Sequence, residues 1–428
     1  MTRIRPFRAL RYDAARVSLS KVIVPPYDVI AAADREGFYA RDPHNAIRLE
    51  LTRRVEDEAR TDYADVRGTL TDWTRAGVLV RDARPAFYAL RQSFQAPDGK
   101  THVRDGFFGL LHLEDYAQRS VRPHERTLEG PKADRLKMLR ATQANLSSVF
   151  LLYEDREEEL LRRLAPALEG EPLAAARDEA GATHRLARIE DPALIESVRA
   201  FLEPRPLVIA DGHHRYETAL AYRDERRAAA PGAGDDAPFE WILAYFANAF
   251  APGSLLLPIH RLILRGSPPN DREWAERLPG WSCETVALGS AEELPGLLAS
   301  RLAPLQGRHA FAADDASGRL RVFSRPRAAA GPAGELSVRV IHREVIEGVF
   351  GLGERAVREG AIDYPKSALQ TALDVRAGRG VVALYLNPLA PEDVFRVTAA
   401  GEVLPQKSTF FYPKLPTGLV FRAFQEAP

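Results

Sequence analysis

Short apolar runs alternate along this chain of 428 residues with longer segments of helical periodicity. Compact runs rich in Val, Ile, Leu and aromatic residues predict buried strands, whereas charged segments with apolar residues three or four apart predict helices. The predicted strands cover residues 22–24, 86–94, 103–113, 149–153, 206–211, 241–250 and 381–386. The predicted helices cover residues 59–76, 132–144, 213–227, 338–350 and most of 157–188.

Turn residues between these elements indicate two hairpins. Pro97, Asp98 and Gly99 connect two predicted strands, and residues 314–318 connect the two halves of an alternating segment at 309–324. This mixture of strands and helices predicts an α/β chain of the mixed α+β kind.

One junction between a strand and a helix carries unusual chemistry. The predicted strand ends at Asp211, and Gly212 makes the turn. His213, His214 and Arg215 then occupy the first turn of the helix. Unpaired N–H groups and the helix dipole favour an anion at this position, and an arginine side chain forks onto phosphate oxygens. The segment therefore predicts a turn that binds phosphate.

Two other interpretations of this turn are open. Asp211 is also an ordinary residue for capping a helix, in which case the histidines are simply solvated. His213 and Glu217 lie four apart on one helix and are able to share a metal ion such as zinc. Adjacent histidines diverge by about 100° around a helix, however, so His213 and His214 do not easily bind one ion.

Composition excludes several classes of function. The 59 basic and 59 acidic residues cancel, which argues against a dominant surface for nucleic acid or membranes. The single cysteine, Cys283, rules out an internal disulfide and suits a reducing cytosol, and we expect its thiol to be buried or inert. No apolar run approaches the ~20 residues of a membrane span, and a signal-peptide core is not apparent. We therefore expect a cytoplasmic protein.

Lysine is rare, with seven lysines among the 59 basic residues. Lys132 and Lys137 lie in one short segment, and Lys407 and Lys414 lie in another. Where almost every other cation is arginine, a retained ammonium group indicates a position that needs its compact shape.

Glu125 is the best candidate for a general base. It follows Pro123 and His124 just before a predicted helix, where a carboxylate is able to accept a proton from a substrate hydroxyl. The alternative is an ordinary surface glutamate near a helix start.

Lys407, Ser408 and Thr409 form a second candidate group. One cation and two hydroxyls suit the binding of a small carboxylate or an amino acid. The alternative is the polar edge of a strand whose aromatic residues at 410–412 face the core.

Three motifs, in this order, resemble the free serine kinases of the ParB/sulfiredoxin fold. They are Pro-His-Glu at 123–125, the Asp-Gly-His-His-Arg turn at 211–215, and Gly-Glu-Val at 401–403 followed by Pro-x-Lys-Ser-Thr at 405–409. The chain as a whole, including Pro-Pro-Tyr-Asp at 25–28, resembles a prokaryotic family of unknown function, family 1015.

The kinase resemblance implies phosphoryl transfer from ATP or ADP to a small-molecule hydroxyl, with free L-serine as the acceptor. It implies Glu125 as the base. Mg²⁺ would bridge the nucleotide phosphates, with Asp211 as a candidate ligand. The site residues that follow are Glu125 and Asp211 for catalysis, Gly212, His213, His214 and Arg215 for the nucleotide, Lys407, Ser408 and Thr409 for the substrate, and His124 and Asp28 in support.

The resemblance also implies a division into three regions. An N-terminal α+β region covers 1–115, a ParB/sulfiredoxin-like core covers 116–268, and a C-terminal α+β region at 269–428 contributes to the substrate site. The alternative function is a ParB-like switch that binds or hydrolyses nucleotide without kinase activity. A sulfiredoxin-like reductase is excluded, because its turn needs a cysteine. The expected partners are a nucleotide and a small hydroxyl substrate, and neither a membrane nor nucleic acid.

Overall fold

A computed structural model describes residues 1–53, 63–97, 99–127, 129–327, 336–405 and 407–425. The chain divides into two compact units. Unit 1 contains Met1–Leu255 and Pro413–Pro428, and unit 2 contains Leu256–Tyr412. Both units combine strands and helices, which confirms the mixed α/β class, while the division into three regions stays a prediction.

The elements are numbered in chain order over the described residues. The strands are β1 Ile4–Arg5, β2 Leu10–Tyr12, β3 Leu79–Arg81, β4 Phe87–Gln95, β5 Thr101–His112, β6 Val121–Arg122, β7 Ala144–Asn145, β8 Val149–Tyr153, β9 Ala174–Arg177, β10 Thr183–Ile189, β11 Leu207–Asp211, β12 Trp241–Asn248, β13 Leu255–Leu257, β14 Arg261–Ile263, β15 Ser282–Ala287, β16 His309–Asp314, β17 Arg319–Arg325, β18 Ile362–Asp363, β19 Val382–Leu386, β20 Phe410–Tyr412 and β21 Arg422–Ala423. The α-helices are α1 Leu19–Val22, α2 Arg35–Arg41, α3 Ile47–Glu50, α4 Ala64–Arg75, α5 Glu129–Thr142, α6 Glu159–Glu169, α7 Pro192–Leu202, α8 His213–Ala229, α9 Asp271–Arg277, α10 Leu294–Leu297, α11 Ser337–Val340, α12 Glu354–Arg358, α13 Ala368–Arg376 and α14 Pro391–Ala399.

A mixed sheet, with nine strands among the described residues, forms the centre of unit 1. Its order is β6-β11-β8-β12-β5-β4-β10-β9, and β1 also pairs with β5. β6 runs parallel to β11 and β8 runs parallel to β12, whereas the other neighbours are antiparallel. Every residue of β8 and β12 is buried. Burial on both faces explains why the run at 241–250 is apolar without alternation.

Helix α8 packs on the strands next to the predicted phosphate turn. Tyr216 and Ala219 of α8 are buried in the same apolar cluster as Ile209 of β11 and Leu151 of β8. Because α8 packs directly on the strand that precedes it, the turn between them has little freedom to move.

Residues 157–188 are not mostly helical, contrary to the prediction. The helix ends at Glu169, and β9 and β10 follow as an antiparallel pair at the sheet edge. Within β10, His184 and Leu186 are buried while Arg185 between them is exposed, which is the period of two expected for a strand. The alanines of this segment favour a helix, but pairing of β10 with β4 overrides that propensity.

Three smaller expectations have different outcomes. The predicted strand at 22–24 ends helix α1 and makes only an isolated bridge from Val24 to Thr417. Cys283, expected to be buried or inert, is exposed, and partial desolvation raises the pKa of its thiol, which favours the inert alternative. Asp98 and part of the helix predicted at 59–76 lie outside the described residues.

Unit 2 is built on an antiparallel sheet with six strands in its described part, in the order β15-β17-β16-β19-β14-β18. β16 and β17 form the hairpin predicted at 309–324. The helix predicted at 338–350 begins as α11 and continues as a wider π-helical segment, Ile341–Glu347. Among the described helices of both units, none has the length and apolar character needed to cross a bilayer.

Gly106 of β5 is required by close packing. A Cβ atom there would lie 2.4 Å from the carbonyl oxygen of Phe246 and 2.5 Å from the ring of Tyr245. We expect Gly106→Ala to lower the free energy of unfolding by about 1–3 kcal/mol, because neither the paired strand β12 nor the buried ring of Tyr245 is able to move aside without loss of packing. The control is Gly68→Ala in α4, where nothing lies within 4 Å and alanine should stabilise the helix by up to about 1 kcal/mol. Urea denaturation measures both, and equal effects would contradict the packing argument.

Candidate functional site

The turn predicted to bind phosphate joins β11 to α8. Gly212 has a φ of +90°, in the left-handed region that glycine adopts without strain. A Cβ atom at Gly212 would lie 3.0 Å from Nε of Arg215, so the guanidinium also needs this glycine. Helix α8 starts at His213, and its N–H groups and positive dipole end therefore lie directly at the turn.

Asp211 is the centre of a network of ion pairs. Its Oδ2 accepts a hydrogen bond from Nη2 of Arg215 at 2.5 Å, and its Oδ1 accepts one from Nζ of Lys414. Arg215 also donates to the carbonyl oxygen of Ser148. Burial alone would raise the pKa of Asp211, but the charges of Lys414 and Arg215 together hold it well below its usual range. Both carboxylate oxygens are thus paired with cations.

Lys414 is a site residue that was not placed here from the sequence. It follows Asp211 by 203 positions, and only 18% of its side chain is exposed. The scarcity of lysine marked Lys414 as unusual, but nothing local in the sequence connects it to the turn at Gly212.

A buried chain of hydrogen bonds fixes the backbone next to Lys414. The guanidinium of Arg104 donates to the carbonyl oxygen of Pro413 at 2.6 Å and to Oε1 of Gln92 at 2.6 and 3.0 Å. The side-chain amide of Gln92 donates to Nδ1 of His184 at 3.3 Å. His184 in turn donates from Nε2 to Asp178 at 2.8 Å. The chain therefore connects the β9–β10 edge of the sheet to the residue that precedes Lys414.

Two buried histidines hold Glu125 at the same turn. Nδ1 of His124 donates to the carbonyl oxygen of Ile209 at 2.5 Å, and the backbone N–H of His124 donates to Nε2 of His213 at 3.3 Å. Because Nε2 accepts, neutral His213 carries its proton on Nδ1, which lies 3.4 Å from Oε1 of Glu125. The site thus combines an oriented carboxylate with the N-terminus of α8.

Burial keeps these histidines neutral. Desolvation lowers the pKa of His124 to about 4 and the pKa of His213 well below its ordinary value, and the charge of Lys414 acts in the same direction. His214 is half-buried, and desolvation lowers its pKa against the opposite influence of Glu125 and other nearby carboxylates.

The contacts of Glu217 and His213 bear on the hypothesis that these two residues share a metal ion. Glu217 accepts a hydrogen bond from Thr127 at 2.6 Å and pairs with Lys132 at 3.3 Å. Among the described residues, His124, Glu125 and His213 bring ligand atoms within 4.8 Å of one another, and metal binding by His213 and Glu217 stays a hypothesis. A metal ion bound by His213 would have to replace either the hydrogen bond at its Nε2 or the contact of its Nδ1 with Glu125.

Asp28 lies on the 3-10 helix Tyr27–Val29 and is exposed. Its charge raises the pKa of both His214 and Arg215, which places it in the electrostatic neighbourhood of the turn. A supporting role for Asp28 stays a prediction.

Lys407, Ser408 and Thr409 belong to unit 2. Lys407 adopts a left-handed φ of +57°, and Oγ of Ser408 donates to the carbonyl oxygen of Pro405 at 2.5 Å. Their role in binding substrate stays a prediction.

The ion pair of Lys414 with Asp211 should contribute strongly to stability. We expect Lys414→Met to lower the free energy of unfolding by about 3 kcal/mol at pH 7, because it leaves a buried carboxylate with less compensating charge. Adding Asp211→Asn should recover part of this loss in a double-mutant cycle. The control is Arg272→Met, which removes an exposed pair with Glu276 and should cost about 0.5 kcal/mol or less. Equal losses in the two single variants would contradict this account.

The buried histidines should make unit 1 sensitive to acid. The pKa of His124 is about 4 in the folded chain and about 6.5 in the unfolded chain, so the unfolded chain binds more protons between these values. Stability is therefore complete above about pH 7 and falls as the pH is lowered, by about 2 kcal/mol at pH 5 from His124 alone. His124→Asn keeps a donor near the Nδ1 position and should reduce this loss. His44→Asn is the control, and urea unfolding at pH 8 and pH 5 decides whether the two variants differ.

Comparison with solved structures gives alignments with low sequence identity and low TM-scores. A conserved hypothetical protein from Pyrococcus furiosus aligns over 70% of this chain and 92% of its own, with 15% identity and a TM-score of 0.32. A free serine kinase variant in complex with ADP aligns over 70% of this chain and 89% of its own, with 13% identity and a TM-score of 0.34. SbnI with a C-terminal truncation, from Staphylococcus aureus, aligns over 73% and 86%, with 11% identity and a TM-score of 0.34.

Sequence comparison identifies the family. Curated proteins give no match. The sequence profile described as "Protein of unknown function (DUF1015)" matches residues 4–287, which is more than half of the chain. The protein therefore belongs to the DUF1015 family, as its sequence led us to expect.

Proposed function

We propose that unit 1 transfers a phosphoryl group from a nucleotide to the hydroxyl of a small molecule. One observation carries this proposal: Glu125 lies 3.4 Å from His213, the first residue of α8. A general base and the anion-binding end of a helix thus share one site. Phosphoryl transfer depends on positioning these two functions within reach of each other.

The N-terminus of α8 would bind the phosphates of the nucleotide. Its first N–H groups and its dipole favour negative charge, and the ammonium of Lys414 adds a cation beside them. Arg215 is turned inward to Asp211 and Ser148. In this proposal Arg215 therefore supports the turn instead of binding phosphate itself, and Asp211 positions the two cations.

Glu125 would act as the general base. Its side chain is 33% exposed, so a substrate hydroxyl has access to it, while the N–H of His213 orients the carboxylate. The hydroxyl oxygen attacks the terminal phosphorus, the bond from that phosphorus to the nucleotide oxygen breaks, and the hydroxyl proton moves to Glu125. A charged imidazolium would weaken the carboxylate as a base, so the lowered pKa of His213 supports this role.

Magnesium would bind with the nucleotide and neutralise phosphate charge. Mg²⁺ prefers carboxylate oxygens, and Asp28 and Glu125 both exert their charge on His214 beside the turn. Asp211 fits less well, because both of its oxygens already accept hydrogen bonds from cations. In this proposal the exposed carboxylate of Asp28 is a better candidate for the metal than Asp211.

The motifs guide the choice of substrates. The order Pro-His-Glu, Asp-Gly-His-His-Arg and Lys-Ser-Thr resembles the free serine kinases, which makes L-serine the first acceptor to test and ATP and ADP the first donors. The same resemblance supports the proposal that the core of unit 1 has a ParB/sulfiredoxin-like arrangement, with β11 and α8 as its phosphate-binding junction.

Glu125→Gln tests the proposed base. The amide keeps the size of the side chain but cannot accept the hydroxyl proton, so we expect kcat for phosphoserine formation to fall by about 10²–10⁴. The dissociation constant of the nucleotide should change little, because Glu125 is not proposed to bind it. Transfer of ³²P from labelled nucleotide to serine measures turnover, and calorimetry measures binding.

Glu196→Gln, which alters an exposed glutamate on α7, is the matched control and should keep full activity. Turnover by Glu125→Gln within about threefold of the unaltered chain would exclude Glu125 as the base. Hydrolysis of the nucleotide without phosphoryl transfer to any added hydroxyl compound would favour the alternative of a nucleotide switch.

A further inference from the structure

Unit 2 contains a partly open polar cavity, and all of its described lining residues belong to this unit. Three arginines, Arg261, Arg308 and Arg327, lie on its walls. Gln306, Ser337 and Asn387 add neutral polar groups. No acidic side chain occurs among the described lining residues, so the cavity is strongly biased towards positive charge.

These arginines differ from most others in unit 2. Arg319, Arg325 and Arg376 each form a salt bridge with a carboxylate of the same unit. The three arginines of the cavity donate only to carbonyl and hydroxyl oxygens within the described part of the chain. Their bonds are Arg261 to the carbonyls of Ile259 and His260, Arg308 to Ser324, and Arg327 to Gln306 and Ser337.

The guanidinium of Arg261 is buried without a carboxylate partner among the described residues. The residue is only 4% exposed, lies on β14 and stacks on the ring of Tyr364 at 4.9 Å. Burial lowers the pKa of its guanidinium to about 10. A buried charge without a counter-charge is unfavourable, so an anion from outside the chain would stabilise this residue.

Arg327 has a donor that is not used within the described chain. Its Nη2 donates to the carbonyl oxygen of Gln306 at 3.1 Å and to Oγ of Ser337 at 3.3 Å. Its Nε is buried and has no hydrogen-bond partner among the described residues. Buried donors are normally satisfied, and this one belongs to a side chain that lines the cavity.

We propose that this cavity binds a small oxyanion, either a phosphate or a carboxylate group, through Arg261, Arg308 and Arg327. Guanidinium groups recognise both kinds of oxyanion through paired N–H donors. Ser408, one of the residues predicted to bind substrate, also lines the cavity. The proposal depends on unit 2 alone and is independent of phosphoryl transfer in unit 1.

Hydrogen–deuterium exchange on the full chain locates the site. Inorganic phosphate and acetate are added in separate experiments at equal ionic strength, with chloride as the reference anion. We expect protection of the backbone in the segments 306–310, 337–341 and 386–389, which contain lining residues of the cavity. Phosphate held only at the N-terminus of α8 would protect residues 212–216 instead. The anion that protects the lining identifies the chemistry of the ligand.

Two variants test the arginines directly. Arg308→Gln and Arg327→Gln alter half-buried side chains and should each weaken binding of the protecting anion by at least about tenfold, as expected for loss of a charged hydrogen bond. Arg272→Gln alters an exposed residue of α9; it is the control and should leave binding unchanged. Absence of protection by both anions, or binding by both variants equal to that of the control, would overturn the proposal.

Discussion

The pairing of Asp211 with Lys414 and Arg215 is the interaction on which the site in unit 1 depends. It joins the end of a strand, the start of a helix and a segment that follows more than 200 positions later. A carboxylate at this depth is stable as an anion only because two cations compensate for lost hydration. Gly212 makes the arrangement sterically possible, since a side chain there would meet the guanidinium of Arg215.

Desolvation sets the charge of the remaining groups. His124 and His213 are buried next to a lysine, and both influences favour their neutral forms. Their hydrogen bonds then assign one donor and one acceptor nitrogen to each ring, so each imidazole has a defined orientation. Glu125 lies at the exposed end of this arrangement. The buried histidines therefore define the position of Glu125, whose carboxylate is partly accessible to solvent.

The local structure of the turn was predictable from the sequence, whereas its long-range partners were not. The strand, the turn at Gly212 and the start of α8 follow from residues within about ten positions of one another. Lys414 reaches Asp211 through tertiary folding alone, and only the rarity of lysine distinguished it. The edge strands β9 and β10 were missed because alanine-rich composition outweighed a short alternating pattern. The arginines of the cavity in unit 2 gave no indication, since arginine is abundant throughout the chain.

Unit 1 is discontinuous in sequence, because the whole of unit 2 separates Leu255 from Pro413. A ribosome therefore completes the central sheet long before it adds Lys414. Throughout that interval the nascent Asp211 has Arg215 as its cationic neighbour and lacks the ammonium that later compensates it. Translation that stops within unit 2 yields a polypeptide with the β11–α8 junction but without its final counter-charge. Only synthesis that continues past residue 414 produces the assembled site, which couples the competence of unit 1 to translation of its second segment.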